Sequence, residues 1–133
     1  MGPCMETSFV WDDQAQIIRG KVTGPADSSA FHHNLTSFLC SGMAPSNAPL
    51  LLNLHGMDFS SLTPERAAML ADLRQKTAEM RRGSCTAMLV RGEIELLLAR
   101  YLRERLARSG PPVEIFTEES QALDWIRCHR TST

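Results

Sequence analysis

An apolar run from Leu50 to Leu54, followed by a turn and a capped helix, limits the folds that this chain can adopt. Four of its five residues are leucine. A short, almost continuous apolar run is typical of a central strand that is covered on both faces. The run is expected to end at His55-Gly56. After a polar turn, Thr63 is a good N-cap and Pro64 suits the first helical position, so the sequence predicts a strand, a turn and a helix.

The helix after this turn is predicted to run to Arg81 or Arg82, whose charges complement its C-terminal end. Gly83 fits the C-cap. The side chains expected to face the core from this helix are Leu70, Leu73, Thr77 and Met80.

Strand-like and helix-like segments alternate along the whole chain. The predicted order, β-β-α-β-α-β-α-β-α, indicates a single α/β domain over residues 7–129, with flexible termini at 1–6 and 130–133. Its sheet is expected to be mixed and mainly parallel, with four or five strands flanked by about four helices. The first two strands are close enough to form an antiparallel hairpin, and Gly24-Pro25 is expected to end the second. The predicted strands are 7–11, 16–23, 50–54, 85–90 and 113–116; helices begin near Asp27 or Ser28, Pro64, Glu93 and Thr117.

The helix predicted over 93–108 contains apolar residues at helical spacing, which are expected to form its buried stripe. These are Ile94, Leu97, Leu98, Tyr101 and Leu102. The arginines of the same helix are expected on a solvated face, or alternatively in a patch that meets an acidic partner or lipid headgroups.

Length and composition fit one globular domain and give no sign of a protein that binds nucleic acid or membrane through its overall charge. The 133 residues suit one domain, and 43% of them are hydrophobic, so the chain can bury an ordinary core. With 14 basic and 15 acidic residues the net charge is -1, which offers no general attraction to nucleic acid or to an anionic membrane.

The four cysteines, Cys4, Cys40, Cys85 and Cys128, are far apart and have no zinc-site spacing. Reduced thiols in a cytosolic protein are the expected state. The N-terminal residues lack the pattern of a signal peptide, and no apolar stretch approaches the roughly 20 residues of a transmembrane helix. The sequence therefore predicts a cytoplasmic protein without integral membrane contact.

The polar residues around the turn are the candidate functional residues. A phosphate on Ser60 or Ser61 would lie near a helix N-terminus, where N–H groups and the dipole favour an anion. The alternative is that both serines form an ordinary polar turn and that Thr63 is an N-cap. His55 is expected just past the end of the central strand, where ligand sites gather in open α/β sheets, and it is a candidate for binding an anion or a partner.

No motif of an enzyme, a cofactor or a metal site occurs. The sequence has no glycine-rich nucleotide loop, no nucleophile elbow and no zinc-protease motif. The adjacent His32 and His33 would point about 100° apart on a helix, so a solvated face is expected rather than a shared metal. We therefore expect no enzymatic activity, no cofactor and no metal.

Two segments resemble a known family. The stretch from Leu50 reads LLLNLHGMDFSSLTPERAAML, which resembles the central strand and switch turn of STAS domains, the anti-sigma-factor-antagonist fold. The closing segment VEIFTEESQALDWI is similar to the end of the SpoIIAA-like branch, through Phe116, Ala122 and Trp125. The resemblance covers about Phe9 to Ile126.

The resemblance implies a small mixed α/β domain without catalysis of its own. Its phosphorylation-regulated members bind an anti-sigma kinase and carry a serine in a D-S-S-G-like turn. Here Asp58 precedes Phe59 rather than the serine pair, and an ungapped match places Leu62 at the phosphorylated position. The SpoIIAA-like branch is also similar in fold to CRAL-TRIO lipid-binding domains.

Two functions follow as hypotheses. The first is a regulatory or scaffolding module that binds a protein partner, such as a kinase or an anti-sigma-type regulator, through residues 55–66, which we name the switch-turn surface. Its candidate residues are His55, Asp58, Ser60, Ser61 and Thr63, and homodimerisation through a sheet edge or a helix face is compatible with it. The second is a carrier or sensor of a lipid or another small apolar ligand.

Overall fold

The computed structural model describes residues 4–131 and confirms the predicted order of strands and helices. Of the predicted flexible termini, residues 1–3 and 132–133 lie outside the described residues, whereas Glu6 begins the first strand and Arg130 lies in the last helix. The strands are β1 (Glu6–Asp12), β2 (Ile17–Pro25), β3 (Leu50–Asp58), β4 (Thr86–Leu89) and β5 (Val113–Phe116); the helices are α1 (Ser28–Cys40), α2 (Pro64–Thr77), α3 (Glu93–Leu106) and α4 (Glu119–Thr131).

The five strands form one sheet in which spatial order follows chain order, β1-β2-β3-β4-β5. β1 and β2 form the predicted antiparallel hairpin, and the other neighbours are parallel. Leu50 pairs with Thr86, and Thr86 pairs with Val113, so β3, β4 and β5 begin at the same end of the sheet, which we name the strand-start end. Because the order never reverses, these strands have no switch point, the place where doubly wound sheets bind ligands.

The sheet is covered on both faces. Leu50 and Leu52 face a main core beneath α1, α2 and α3, whereas Leu51 faces a smaller core beneath α4. This alternation is what a strand imposes on successive side chains. It confirms that the leucine run is a central strand and places the larger apolar volume on the three-helix side.

β2 and β3 are longer than the sequence predicted. The predicted ends at Gly24-Pro25 and at His55-Gly56 were wrong, because β2 continues to Pro25 and β3 to Asp58. Beyond Asn53, where its pairing with β4 stops, β3 pairs with β2 alone. Glycine and proline were interpreted as breaks, but here they occur inside and at the end of a strand pair.

A bulge in β3 explains this extension. Lys21 pairs with Asn53 but Thr23 pairs with Gly56, so β3 has one residue more than β2 over this stretch. The backbone N–H of His55 donates to the Asn53 Oδ1 at 2.9 Å. A Cβ at residue 56 would lie 2.7 Å from the Thr23 Cγ2, so the glycine serves close packing of the strands and does not end one.

Helix α2 ends at Thr77, so the predicted end at Arg81 or Arg82 was wrong. The chain continues through residue 83 as a series of turns, and the N–H of Ala78 donates to the Gln75 carbonyl, three residues back. The prediction that Met80 faces the core was also wrong, since Met80 is 38% exposed. The turns bury Arg81 instead, which is only 5% exposed.

The predicted buried stripe of α3 was wrong for three of its five residues. Ile94, Leu97 and Tyr101 are 71%, 66% and 40% exposed. The helix packs through Leu98 and Leu102, together with Ala99 and Leu106. Two apolar stripes overlap on this helix, and spacing alone could not distinguish the one that meets the sheet.

Candidate functional site

The switch turn is an ordered structure built around Asp58. Its carboxylate oxygen Oδ1 accepts from the backbone N–H of Ser60 at 3.0 Å and from the Ser60 hydroxyl at 2.6 Å. These bonds cap a short 3-10 turn, Phe59–Ser61, whose first residue is buried. Asp58 and Ser60 are themselves exposed, so they form a polar surface over a buried phenylalanine.

Ser61 connects the turn to the rest of the fold. Its hydroxyl donates to the Asp58 carbonyl at 2.6 Å and accepts from the backbone N–H of Ala26 at 2.6 Å. Ala26 is buried in the connection between β2 and α1. Because both interactions use the hydroxyl, Ser61 serves as a structural bridge. Within residues 4–131 the side chain of the exposed Ser60 forms its hydrogen bond inside its own turn, with Asp58.

Thr63 is the N-cap of α2, as predicted from its position before Pro64. Its hydroxyl accepts from the backbone N–H of Arg66 at 3.1 Å. The Arg66 guanidinium Nη1 in turn donates to the Ser61 carbonyl at 2.5 Å. The turn and the first helical turn thus form one hydrogen-bonded unit.

His55 differs from the position predicted for it. It lies inside β3 rather than past its end, and its side chain is exposed. The hydrogen bonds of the turn connect Asp58, Ser60 and Ser61, but the His55 ring takes part in none of those recorded for residues 4–131. Since the sheet also lacks a switch point, the geometric argument for a ligand at His55 does not hold.

Neither a metal centre nor a membrane span occurs in the part of the chain that the structure describes. Within residues 4–131, no group of three or more histidine, cysteine, aspartate or glutamate residues is arranged to hold a metal ion. No helix in the same range is long and apolar enough to cross a membrane.

A cavity of about 80 Å³ lies between the sheet and helices α1, α2 and α3. At one end it is lined by Leu50, Thr86 and Val113, the residues that start three parallel strands. At the other end it reaches Met57 and Leu62, which flank the switch turn. The cavity therefore extends from the strand-start end of the sheet to the inner side of the turn.

Two arginines line the strand-start end of this cavity. The Arg74 guanidinium donates to the Leu106 carbonyl at 3.1 Å, the Ser109 hydroxyl at 3.2 Å and the Pro111 carbonyl at 2.7 Å. Arg74 thus holds the connection between α3 and β5 in place, and its position is explained by these acceptors.

Arg81 has weaker partners. Its Nη2 donates to the Ser84 hydroxyl at 2.9 Å and to the Thr86 hydroxyl at 3.4 Å. Its Nε is buried and has no hydrogen-bond partner in residues 4–131. No ion pair joins Arg81 or Arg74 to a carboxylate within that range.

Burial lowers the pKa of both guanidinium groups. The pKa of Arg81 falls to about 10 because its side chain is removed from water. The pKa of Arg74 also falls to about 10, through burial and the nearby positive charge of Arg81. Both groups remain protonated at neutral pH, so two positive charges that are partly or fully removed from solvent line the cavity.

Comparison with known proteins gives a fold. No protein-family profile and no curated protein matches the sequence. The structure is similar to that of an uncharacterized protein of the DUF3478 family with a SpoIIAA-like fold, from Shewanella loihica PV-4. The match has a TM-score of 0.60 and 17% identity, and it covers 95% of this chain and 98% of the other.

This chain has a SpoIIAA-like fold. The resemblance found in the sequence is therefore confirmed as an assignment of fold, and so is the mixed sheet with four flanking helices. At 17% identity the likeness shows nothing about ligand or partner. Because one fold hosts many functions, the site must be argued from its own geometry.

Within the SpoIIAA-like fold, the sequence located the switch turn and allowed an apolar ligand as an alternative, but it did not predict which residues line the cavity. It brought together Asp58, Ser60, Ser61 and Thr63 correctly as neighbours in one turn. Arg81 was predicted at the C-terminal end of the helix, where its charge would complement the dipole. The hydroxyl residues that follow, Ser84 and Thr86, were the only sequence signal that Arg81 turns inwards.

Proposed function

We propose that this chain is a non-enzymatic module that binds a small apolar ligand between its sheet and helices α1, α2 and α3, as a carrier or sensor. The observation that supports the proposal is the cavity. Its walls are mainly leucine, valine, methionine and phenylalanine side chains, with a few polar groups among them. This combination of apolar walls and a few convergent polar groups is typical of small-molecule sites.

The volume of the cavity indicates the size of the ligand. One enclosed water molecule needs ~10–15 Å³, so about 80 Å³ accommodates roughly five to eight water-sized groups. A chain of roughly five to eight carbon atoms, or one ring with a short side chain, is of this size. Each buried methylene group contributes about 0.8 kcal/mol, which favours an apolar occupant over water.

The position of the cavity favours a sensor. Met57 and Leu62 line the cavity on either side of the turn that holds Asp58 and Ser60. A ligand that contacts these two side chains would press against the buried side of the turn and shift it. The exposed surface of the turn would then differ between the empty and the occupied protein, which is what a regulatory module requires.

Calorimetric titration with 1-octanol tests the proposal. We expect wild type to bind it, and we expect Leu70→Trp to weaken binding at least ~10-fold, because the larger side chain fills space that Leu70 now borders. Met69→Trp is the matched control, since Met69 is the preceding residue and is 48% exposed outside the cavity. Circular dichroism would establish that both variants are folded.

Two results would contradict this proposal. One is an absence of any binding heat for wild type with 1-octanol and also with octanoate, its carboxylate analogue, up to the solubility limit of each. The other is equal affinity in wild type and in folded Leu70→Trp.

The second candidate function is the protein-binding module. The exposed groups of the switch-turn surface, His55, Asp58 and Ser60, support it, because they are held on an ordered framework. The exposed apolar residues of α3, among them Leu97, support it as well.

A pull-down that compares wild type with Ser60→Asp tests the second candidate function. Unchanged recovery of every partner would exclude a phosphoswitch at Ser60. A kinase or an anti-sigma-type regulator is the partner proposed for this second function, and homodimerisation is compatible with it.

A further inference from the structure

We propose that Arg81 binds the carboxylate of a small amphiphile whose apolar chain occupies the cavity. This inference rests on the proposed function, because it assigns the chemical class of the same ligand. It identifies the ligand as an acid, whereas the cavity walls alone would accept a neutral alcohol or hydrocarbon equally well.

The state of Arg81 is the first argument. Its side chain is 5% exposed, and its Nε has no partner in residues 4–131. A buried charge is normally paired, since an unpaired one costs several kcal/mol in proteins. Among the described residues only the Ser84 and Thr86 hydroxyl groups compensate it, so an anion would relieve a cost that the empty protein carries.

The contrast with Arg74 is the second argument. Burial and the nearby charge of Arg81 lower the pKa of Arg74. The Arg74 guanidinium nevertheless donates to two carbonyl groups and one hydroxyl group. That pattern is what a structural arginine needs. Within the same described range the Arg81 guanidinium donates to hydroxyl groups and to no carbonyl group. A planar guanidinium matches a carboxylate through two parallel hydrogen bonds.

The difference between the polar end and the apolar end of the cavity is the third argument. Arg81 lies at the strand-start end with Thr77 and Thr86, whereas Leu54, Met57 and Leu62 line the end beneath the switch turn. A molecule with one charged end and one apolar end matches this polarity. The cavity also has an acid in its lining, Asp27, but that group lies at the α1 N-terminus, where its side chain accepts from the Ala30 N–H at 3.0 Å.

Titration with sodium octanoate and with 1-octanol, which have chains of equal length, tests the inference. We expect wild type to bind octanoate at least ~10-fold more tightly, which corresponds to about 1.4 kcal/mol. In Arg81→Met, which keeps the bulk but removes the charge, the two affinities should become equal. Arg82→Met is the matched control, because the neighbouring side chain is 78% exposed, and it should keep the full preference.

Arg81→Lys is a second variant in case Arg81→Met does not fold. It keeps the charge but loses the planar fork, so we expect the preference for octanoate to fall by about threefold or more. Thermal unfolding of wild type gives an independent measurement, in which octanoate should raise the Tm more than the same concentration of octanol.

The outcomes separate the two proposals. If octanol and octanoate bind wild type equally, the inference is overturned and the proposed function stands. The inference also fails if folded Arg81→Met, or Arg81→Lys, retains the full preference, since the anion would then bind elsewhere. If neither compound binds, both proposals fail.

Discussion

Leu50→Ala is expected to lower the free energy of unfolding by about 2–5 kcal/mol, the largest effect of a single truncation considered for this fold. Leu50 is 1% exposed and lies in the middle of the sheet, between Ile18 on β2 and Thr86 on β4. It also borders the existing cavity, so truncation enlarges a void instead of allowing neighbours to close in. Urea denaturation followed by circular dichroism measures the loss.

Leu97→Ala is the matched control for this truncation. The sequence predicted Leu97 in the core, but it is 66% exposed on α3. The same chemical change there should alter the free energy of unfolding by no more than about 0.5 kcal/mol. Equal losses at the two positions would mean that α3 packs through the predicted stripe and that the sheet-facing side described for it is incorrect.

Ser61→Ala is expected to lower the free energy of unfolding by about 1–3 kcal/mol. The variant leaves the buried backbone N–H of Ala26 without its acceptor and removes the bond to the Asp58 carbonyl. An unsatisfied buried donor costs more than the average hydrogen bond contributes, which explains the size of the effect. Thermal and urea unfolding of the variant provide the measurement.

Ser60→Ala separates this structural role from the chemistry of the turn. Ser60 is exposed, and its hydroxyl donates only to the Asp58 carboxylate, so we expect a loss below about 1 kcal/mol. A larger loss at Ser60 than at Ser61 would show that Ser60, and not Ser61, connects the turn to the fold. If the expected order is found, Ser60 is the only serine of the pair that can be modified without breaking a bridge to the β2–α1 connection.

The sequence was sufficient for the order of elements and for the switch turn, because both depend on local chemistry. The run of leucines, Thr63 before Pro64, and the alternation of strand and helix patterns each act over a few residues. They predicted the hairpin and the central strand, and they grouped the residues of the turn. The likeness to a SpoIIAA-like structure at 17% identity agrees with a fold that depends on pattern more than on particular residues.

Features that depend on packing between distant segments were not predictable in this way. The extension of β3 past Gly56 depends on the contact with Thr23, 33 positions earlier in the chain. The buried side of α3 depends on which of two apolar stripes meets the sheet. The inward position of Arg81 depends on a helix that ends four or five residues early, at Thr77, and on the hydroxyl groups of Ser84 and Thr86, just before and at the start of β4.

Methyl NMR can detect the proposed apolar ligand in the space between the sheet and helices α1, α2 and α3. With 13C-methyl-labelled protein and 1-octanol, we expect intermolecular NOEs between the octyl chain and methyl groups of Leu52, Leu54 and Met88, which line the cavity. The exposed Met43 and Met69 should show none. NOEs confined to those two exposed methionines, with none to the cavity leucines, would contradict the account.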